Sequence, residues 1–294
     1  VNLALTVAEV TAPVFLLAAI GFVWVKAGFE YEIAFVTRMS MTLGVPCLIF
    51  VSLMQTEIDP AALTTLSLAA VAAYGAVTAA ILAITLILGL EFRTYLAPLI
   101  FGNTGNLGLP LALFAFGDEG LGYAVVVFAV MAIYSFTAGI WIVSGGGSLK
   151  RVIREPMVTA TVLGAVFLWQ GWTTPVFLTN TLSLIGQLAI PLMLITLGVA
   201  VARLSPRGLV RPIVLSTIKA GVCVVIAAAI GRAFDLPPVA FAVLVIQVAT
   251  PVAVTSYLIA EKYGADSDAV AGLVVVSTVA SVVYLPLILG VVMA

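Results

Sequence analysis

Asn103 and Asn106 stand in the stretch Phe101-Gly-Asn-Thr-Gly-Asn-Leu-Gly-Leu-Pro-Leu111, and Gln247 and Thr250 stand in Gln247-Val-Ala-Thr-Pro251. Each proline lacks an N–H and clashes with the carbonyl four residues earlier. Pro110 is thus expected to free the carbonyl of Asn106, and Pro251 that of Gln247, where a side-chain amide is also present. A helix restarting after each proline presents unpaired N–H groups and the positive end of its dipole. Such groups do no covalent chemistry. They bind, and the ligand they suit is a small anion, in particular a carboxylate held without a full countercharge. In a continuous helix Asn103 would share the face of Asn106, unless the glycines turn it away.

Lys219 is the one basic residue deep in an apolar run. With a helix starting near Leu209 it lies about 15 Å in, too deep to reach the surface easily. It supplies either a countercharge for substrate or a partner to a carbonyl or carboxylate. Thr250, Ser277 and Thr278 are candidates to line a cavity, although hydroxyls readily satisfy their own helix. Gln55 and Gln187 read as interhelical hydrogen-bonding residues, and Glu9 as a solvated or structural one.

The elements that must position these residues are membrane helices. The chain is 63% hydrophobic and 9% charged, against roughly 25% charged in soluble domains, so a soluble globule is excluded. About 20 apolar residues make one span. Ten are expected, near 4–26, 33–55, 61–89, 94–116, 120–144, 157–177, 180–202, 209–233, 238–260 and 268–293. Residues 1–26 lack a basic leading region and an obvious cleavage site, and read as a first span rather than a signal peptide. Loops after odd-numbered spans collect ten basic residues and the other side has only Arg232. This bias predicts a multi-pass protein of the cytoplasmic membrane with both termini outside the cytoplasm.

The two halves echo one another. Leu43-Gly-Val-Pro46 matches Leu188-Ala-Ile-Pro191, and Asn106-Leu-Gly-Leu-Pro110 matches Gln247-Val-Ala-Thr-Pro251, each pair five spans apart. An odd-numbered repeat enters the membrane from the opposite face in its second copy. The expected fold is therefore all-α, with residues 1–144 and 157–294 as inverted five-helix repeats joined by a cytoplasmic linker at 145–156.

Absences narrow the function. There is no histidine and no Gly-Lys-Ser/Thr phosphate loop, no central carboxylate cluster and no basic stripe. Metal centres, cofactors, ATP-driven transport, nucleic-acid binding and catalysis by a Ser–His pair are not expected. Cys47 and Cys223 both lie in apolar runs and read as packing residues. Carbonyls freed at the breaks remain able to coordinate sodium.

Gly102-Asn-Thr-Gly-Asn-Leu-Gly-Leu-Pro110, and Ala260-Glu-Lys-Tyr-Gly-Ala-Asp266 followed by Val276-Ser-Thr278, resemble motifs of the auxin efflux carrier (PIN-like) family. The resemblance implies a scaffold of spans 1, 2, 6 and 7, often the homodimer contact. It also implies a transport domain of spans 3–5 and 8–10 in which spans 4 and 9 cross at their prolines. Plant members export auxin, and bacterial relatives are linked to malonate, malate or other small carboxylates. The short linker fits the compact bacterial form. The expected activity is secondary transport of a small organic anion, with proton or sodium coupling open; a sodium-coupled bile-acid-type symporter and an anion channel are the alternatives.

Overall fold

The computed structural model describes residues 3–55, 60–144, 156–203, 208 and 210–293. Most of the linker expected at 145–156, including Ser148 and its basic residues, lies outside them. Among the described residues the protein is all-helical apart from one isolated bridge between Gly102 and Val252.

The first half holds α1 (Leu3–Lys26), α2 (Ile33–Met39), α3 (Val45–Gln55), α4 (Pro60–Ile87), α5 (Phe92–Ile100), α6 (Leu109–Tyr134) and α7 (Ile140–Ser144). The second holds α8 (Pro156–Gln170), α9 (Val176–Gln187), α10 (Ala189–Arg203), α11 (Val210–Ala233), α12 (Pro238–Ala249), α13 (Val254–Tyr263) and α14 (Ser267–Met293). Three π turns, at Ser40–Gly44, Thr104–Gly108 and Ser135–Gly139, interrupt the first half. Helix occupies each of the ten expected ranges, while six stretches are long and apolar enough to cross a membrane without interruption. The counts differ by four: the expected fourth and fifth spans join as one stretch, Thr104–Ser144, the ninth is broken, the sixth is 15 residues long, and the first counts only over Phe15–Lys26. The fourth and fifth meet at Gly117, whose φ of 63° and ψ of −152° bend the chain where a side chain would be strained. One boundary is corrected. The sixth span ends at Gln170 rather than 177, because the chain turns at Gly171 and Pro175 caps α9 in extended geometry.

Packing follows small residues. α1 lies on α10 with backbones touching at Gly21 and Gly198. α3 packs on α8 and α9, where Gly164 and Gly186 let the helices close. Ala189 sits on Gly44, so the two similar proline segments around Pro46 and Pro191 face each other. The remaining helices form a second set, with α12 against α6 and α11, and α11 against α4 and α14. Arg93 closes one end of this set by donating to the carbonyls of Val143 (2.9 Å) and Tyr263 (2.6 Å), which end α7 and α13.

A candidate anion site at crossed helix breaks

Two interrupted helix pairs, α5 with α6 and α12 with α13, meet at their interruptions. Gly102 and Val252 form the antiparallel bridge, and the Asn103 N–H donates to the Pro251 carbonyl at 2.7 Å. The crossing lies in the core, with Gly102, Asn103, Thr250, Pro251 and Val252 all buried.

The break in the fourth span is not where proline chemistry places it. The backbone leaves α5 at Phe101 (φ −90°, ψ 124°) and re-enters helix after Asn103 (φ −81°, ψ 53°). Pro110 sits in the first turn of α6, continuous with the π turn. Helix already runs from Thr104, and the π turn before Pro110 accommodates its missing N–H. Leu109, just before it, donates instead to the Thr104 carbonyl, five residues back. The expected restart after Pro110 is therefore corrected to a restart at Thr104. Pro251 does lie within its break, between α12 and α13.

At the ninth-span break the carbonyls that end α12 have donors. The Thr250 N–H (3.3 Å) and hydroxyl (2.7 Å) both donate to the Gln247 carbonyl. The Tyr284 hydroxyl donates to the Ala249 carbonyl at 3.0 Å, and Lys219 Nζ donates to the Thr250 carbonyl at 2.9 Å. The Val252 N–H donates to Ser277 Oγ at 3.0 Å. Three carbonyls and one N–H of the broken backbone are met by Thr250 itself and by residues of α11 and α14.

The fourth-span side differs. Asn103 is 4% exposed, yet its Nδ2 has no partner, and neither does Thr104 Oγ1. The N–H groups of Thr104, Gly105 and Asn106 find no backbone acceptor. Asn106 is half-buried and its side chain makes no hydrogen bond among the described residues. Unpaired donors thus gather at the positive end of a helical segment, the arrangement that receives an anion.

The other expected residues take different places. Gln247 is fully buried, with Oε1 in the space a β-carbon on Gly108 would need and Nε2 donating to the Ala124 carbonyl at 3.3 Å. It bridges the ninth span to the fourth and fifth. Thr250 is also fully buried and faces Gly102. Lys219 meets a carbonyl; among the described residues it makes no ion pair. Thr278 is buried with an unpartnered hydroxyl. Sequence reasoning missed Tyr284, although Ser277, Ser281 and Tyr284 mark one polar face of α14 at helical spacing. The Ala260–Asp266 motif proves to be a structural corner. Tyr263 receives Arg93, the Asp266 N–H donates to Thr94 Oγ1 (3.1 Å), and Asp266 Oδ1 accepts from the Ala269 N–H (3.0 Å).

Two spaces lie toward opposite ends of the fourth span. One is a cleft of about 1040 Å³ between α3, α9, α10 and the Leu113–Tyr123 region, with Gln55, Asp118, Glu119, Ser183 and Gln187 on its walls. The other, at the opposite end of the fourth span near Arg93, Ser135 and Ser256, measures about 10 Å³.

A family model described as membrane transport protein matches residues 6–148 and again 142–289. The chain belongs to this family, that of the auxin efflux carriers. Among family relatives, an uncharacterized transporter of Methanothermobacter thermautotrophicus is 30% identical over 195 residues, covering 63% of each chain. An uncharacterized transporter of Methanocaldococcus jannaschii is 27% identical over 214 residues, covering 64% of each. The chain thus spans a little under two thirds of the length of these relatives. Family membership and apolar helices together make it a multi-pass membrane protein of this family.

Proposed function

We propose that the chain is a secondary transporter that moves a small organic anion, a carboxylate of malonate or malate size, by alternating access. The carboxylate is held at the start of the segment that begins at Thr104, by Asn103 Nδ2, the Thr104 hydroxyl and the amides of Thr104–Asn106, with Asn106 at the open side. The observation that carries this reading is the contrast between the carbonyls that end α12, which have donors, and the start of the Thr104 segment, where the buried Asn103 Nδ2 and Thr104 hydroxyl have no partner. Gln247, Thr250 and Lys219 shape that site from behind, and Pro251 sets the break against which it is built.

The helix ranges and the two matched proline pairs support a ten-span inverted layout. The tight α1–α10 and α3–α8 pairings support a scaffold of spans 1, 2, 6 and 7, which would also carry a homodimer contact. The transport domain would be spans 3–5 and 8–10, and the cleft runs between the two bodies. A wide cleft at one end and a nearly closed space at the other favour a carrier over an open channel. With both termini outside the cytoplasm, the cleft faces outward.

The deciding experiment is calorimetric titration of the purified protein with malonate and malate. Asn103→Ala and Asn106→Leu should each weaken binding about ten- to a hundredfold, the worth of one hydrogen bond to a charged ligand. Melting temperature should hardly change, because neither amide has a protein partner to lose. Wild-type affinity in both variants would return the stretch to a packing role.

Topology is tested separately in a background lacking Cys47 and Cys223. A cysteine at Ser148 should react with an impermeant maleimide only from the cytoplasmic side, and one at Ser183, on the cleft wall, only from outside. The reverse pattern would invert the assignment of the cleft.

A further inference from the structure

The cleft beside the fourth span carries charge of the anion's own sign. Asp118 and Glu119 stand on its walls among apolar and neutral polar side chains, and no lysine or arginine lines it among the described residues. The one basic residue expected on this side of the membrane, Arg232, lies over the Phe241 ring at 5.7 Å and is not part of the lining. The cleft is nevertheless next to the anion site. Ile190 and Pro191 line it at the start of α10, and α10 packs against the π turn Thr104–Gly108, where the 4% exposed Asn103 has its unpartnered Nδ2. The acidic pair is held in place. Gly117 bends the chain just before it, and Gly120 just after it is buried, with the Ala112 carbonyl oxygen 2.6 Å from where a β-carbon would be. Both acidic side chains are exposed, and among the described residues neither has an ion-pair partner. A round space of about 1040 Å³ is roughly 12 Å across, so a solute inside it lies well within the ~30 Å screening length of 0.01 M salt. Walls of low dielectric focus such a field along the cleft.

We infer that Asp118 and Glu119 are a charge filter on the approach to the anion site, slowing doubly charged carboxylates relative to singly charged ones of the same size. The inference rests on reading the crossing as the carboxylate site and the cleft as its entrance, and it narrows the substrate class to monoanions. Each negative charge on a solute is repelled by both carboxylates, so a dianion meets the repulsion twice. The donors at the start of the Thr104 segment attract a dianion at least as strongly as a monoanion, so they cannot sort in this direction. The sorting is done before the carboxylate reaches Asn103. Asp118 and Glu119 touch no bound substrate; they set specificity through the rate of entry and leave the equilibrium affinity to the crossing.

The first test reads the field directly and needs no substrate. In the background lacking Cys47 and Cys223, Ser183→Cys places one thiol on the cleft wall. Its reaction rates with a cationic (trimethylammonium) and an anionic (sulfonate) methanethiosulfonate are measured in non-ionic detergent. Dividing their ratio by that of a free thiol cancels the reagents' intrinsic reactivities. The cationic reagent should be favoured about tenfold in 0.01 M salt and only about twofold in 0.15 M. Asp118→Asn/Glu119→Gln should bring the ratio near one in both, with hardly any change in melting temperature. A ratio near one before neutralisation, or one that neutralisation leaves unchanged, overturns the inference. Should the double variant not be recovered, each single variant should lower the low-salt ratio about threefold, and no change in either rejects the filter.

Uptake is the second test. Malonate and its monomethyl ester are alike in length and differ by one charge. Initial uptake of the ester should lead by about three- to fivefold in 0.01 M salt, and the lead should shrink in 0.15 M salt and in the double variant. A lead that the double variant keeps places the sorting at the crossing and overturns the filter. If neither compound is bound or taken up while the reagent ratio behaves as expected, the carboxylate reading has failed and the charge preference of the cleft stands.

Discussion

Gly102→Ala should abolish carboxylate uptake and lower the yield of folded protein, although it adds only one methyl group. A β-carbon at residue 102 would stand 2.2 Å from Thr250 Oγ1, 2.9 Å from the Thr250 carbonyl oxygen and 3.3 Å from Thr250 Cβ. None of these atoms has room to retreat. Thr250 is fully buried, its hydroxyl is held by the Gln247 carbonyl, and its own carbonyl is held by Lys219. Overpacking of this kind costs about 1–3 kcal/mol. Relief by parting the helices would also break the Asn103–Pro251 hydrogen bond that registers the crossing. Proteoliposome uptake and thermal unfolding measure the two consequences. Thr250→Ala removes the nearest offending atom, so the double variant Gly102→Ala/Thr250→Ala should recover part of the lost stability. Additive effects in this cycle would mean that the two residues do not meet.

Gly198→Ala is expected to be as damaging, through a different part of the molecule. Its β-carbon would lie 1.7 Å from the Ala18 carbonyl oxygen and 2.6 Å from the Ala18 carbonyl carbon, and Gly21 has the reciprocal relation to the Ile195 carbonyl, at 2.0 Å. These obstacles are backbone atoms, which no rotamer change can clear. Helices in lipid associate largely through close packing, since burying an apolar side chain gains little over the acyl chains. Forcing α1 from α10 therefore removes most of what holds them together. The loss should reach or exceed the upper end of about 1–3 kcal/mol. Size-exclusion profiles and inactivation temperature in detergent give the measure. A Gly198→Ala protein as stable as wild type would show that the two backbones do not touch.

Sequence patterns made the helical ranges and the loops legible because both follow from composition. Apolar length marks spans, and the bend at Gly117 sits in the polar cluster Gly117-Asp-Glu-Gly120. The fourth-span break was less legible. Proline was taken as the breaker, but a π turn absorbed Pro110, and the chain parted eight residues earlier at Gly102, where a close neighbour required the absence of a side chain. That requirement belongs to the partner, Thr250, and no local pattern announces it. The same reason shifted weight from Asn106 toward Asn103. The two placements proposed for Lys219 were indistinguishable by depth alone; its bond to the Thr250 carbonyl depends on where α12 ends relative to α11. Tyr284 is not legible in the sequence because its donation to the Ala249 carbonyl depends on how α14 packs against the end of α12.

The small space beside Arg93, Ser135 and Ser256 bears on the energetics of the host cell. At about 10 Å³ it is at the threshold for holding a single water molecule. One water cannot form a continuous wire, and protons hop only along continuous wires. On the proposed reading, a carrier resting in this shape offers protons no continuous wire through that space, so idle copies would not drain the gradient by that route.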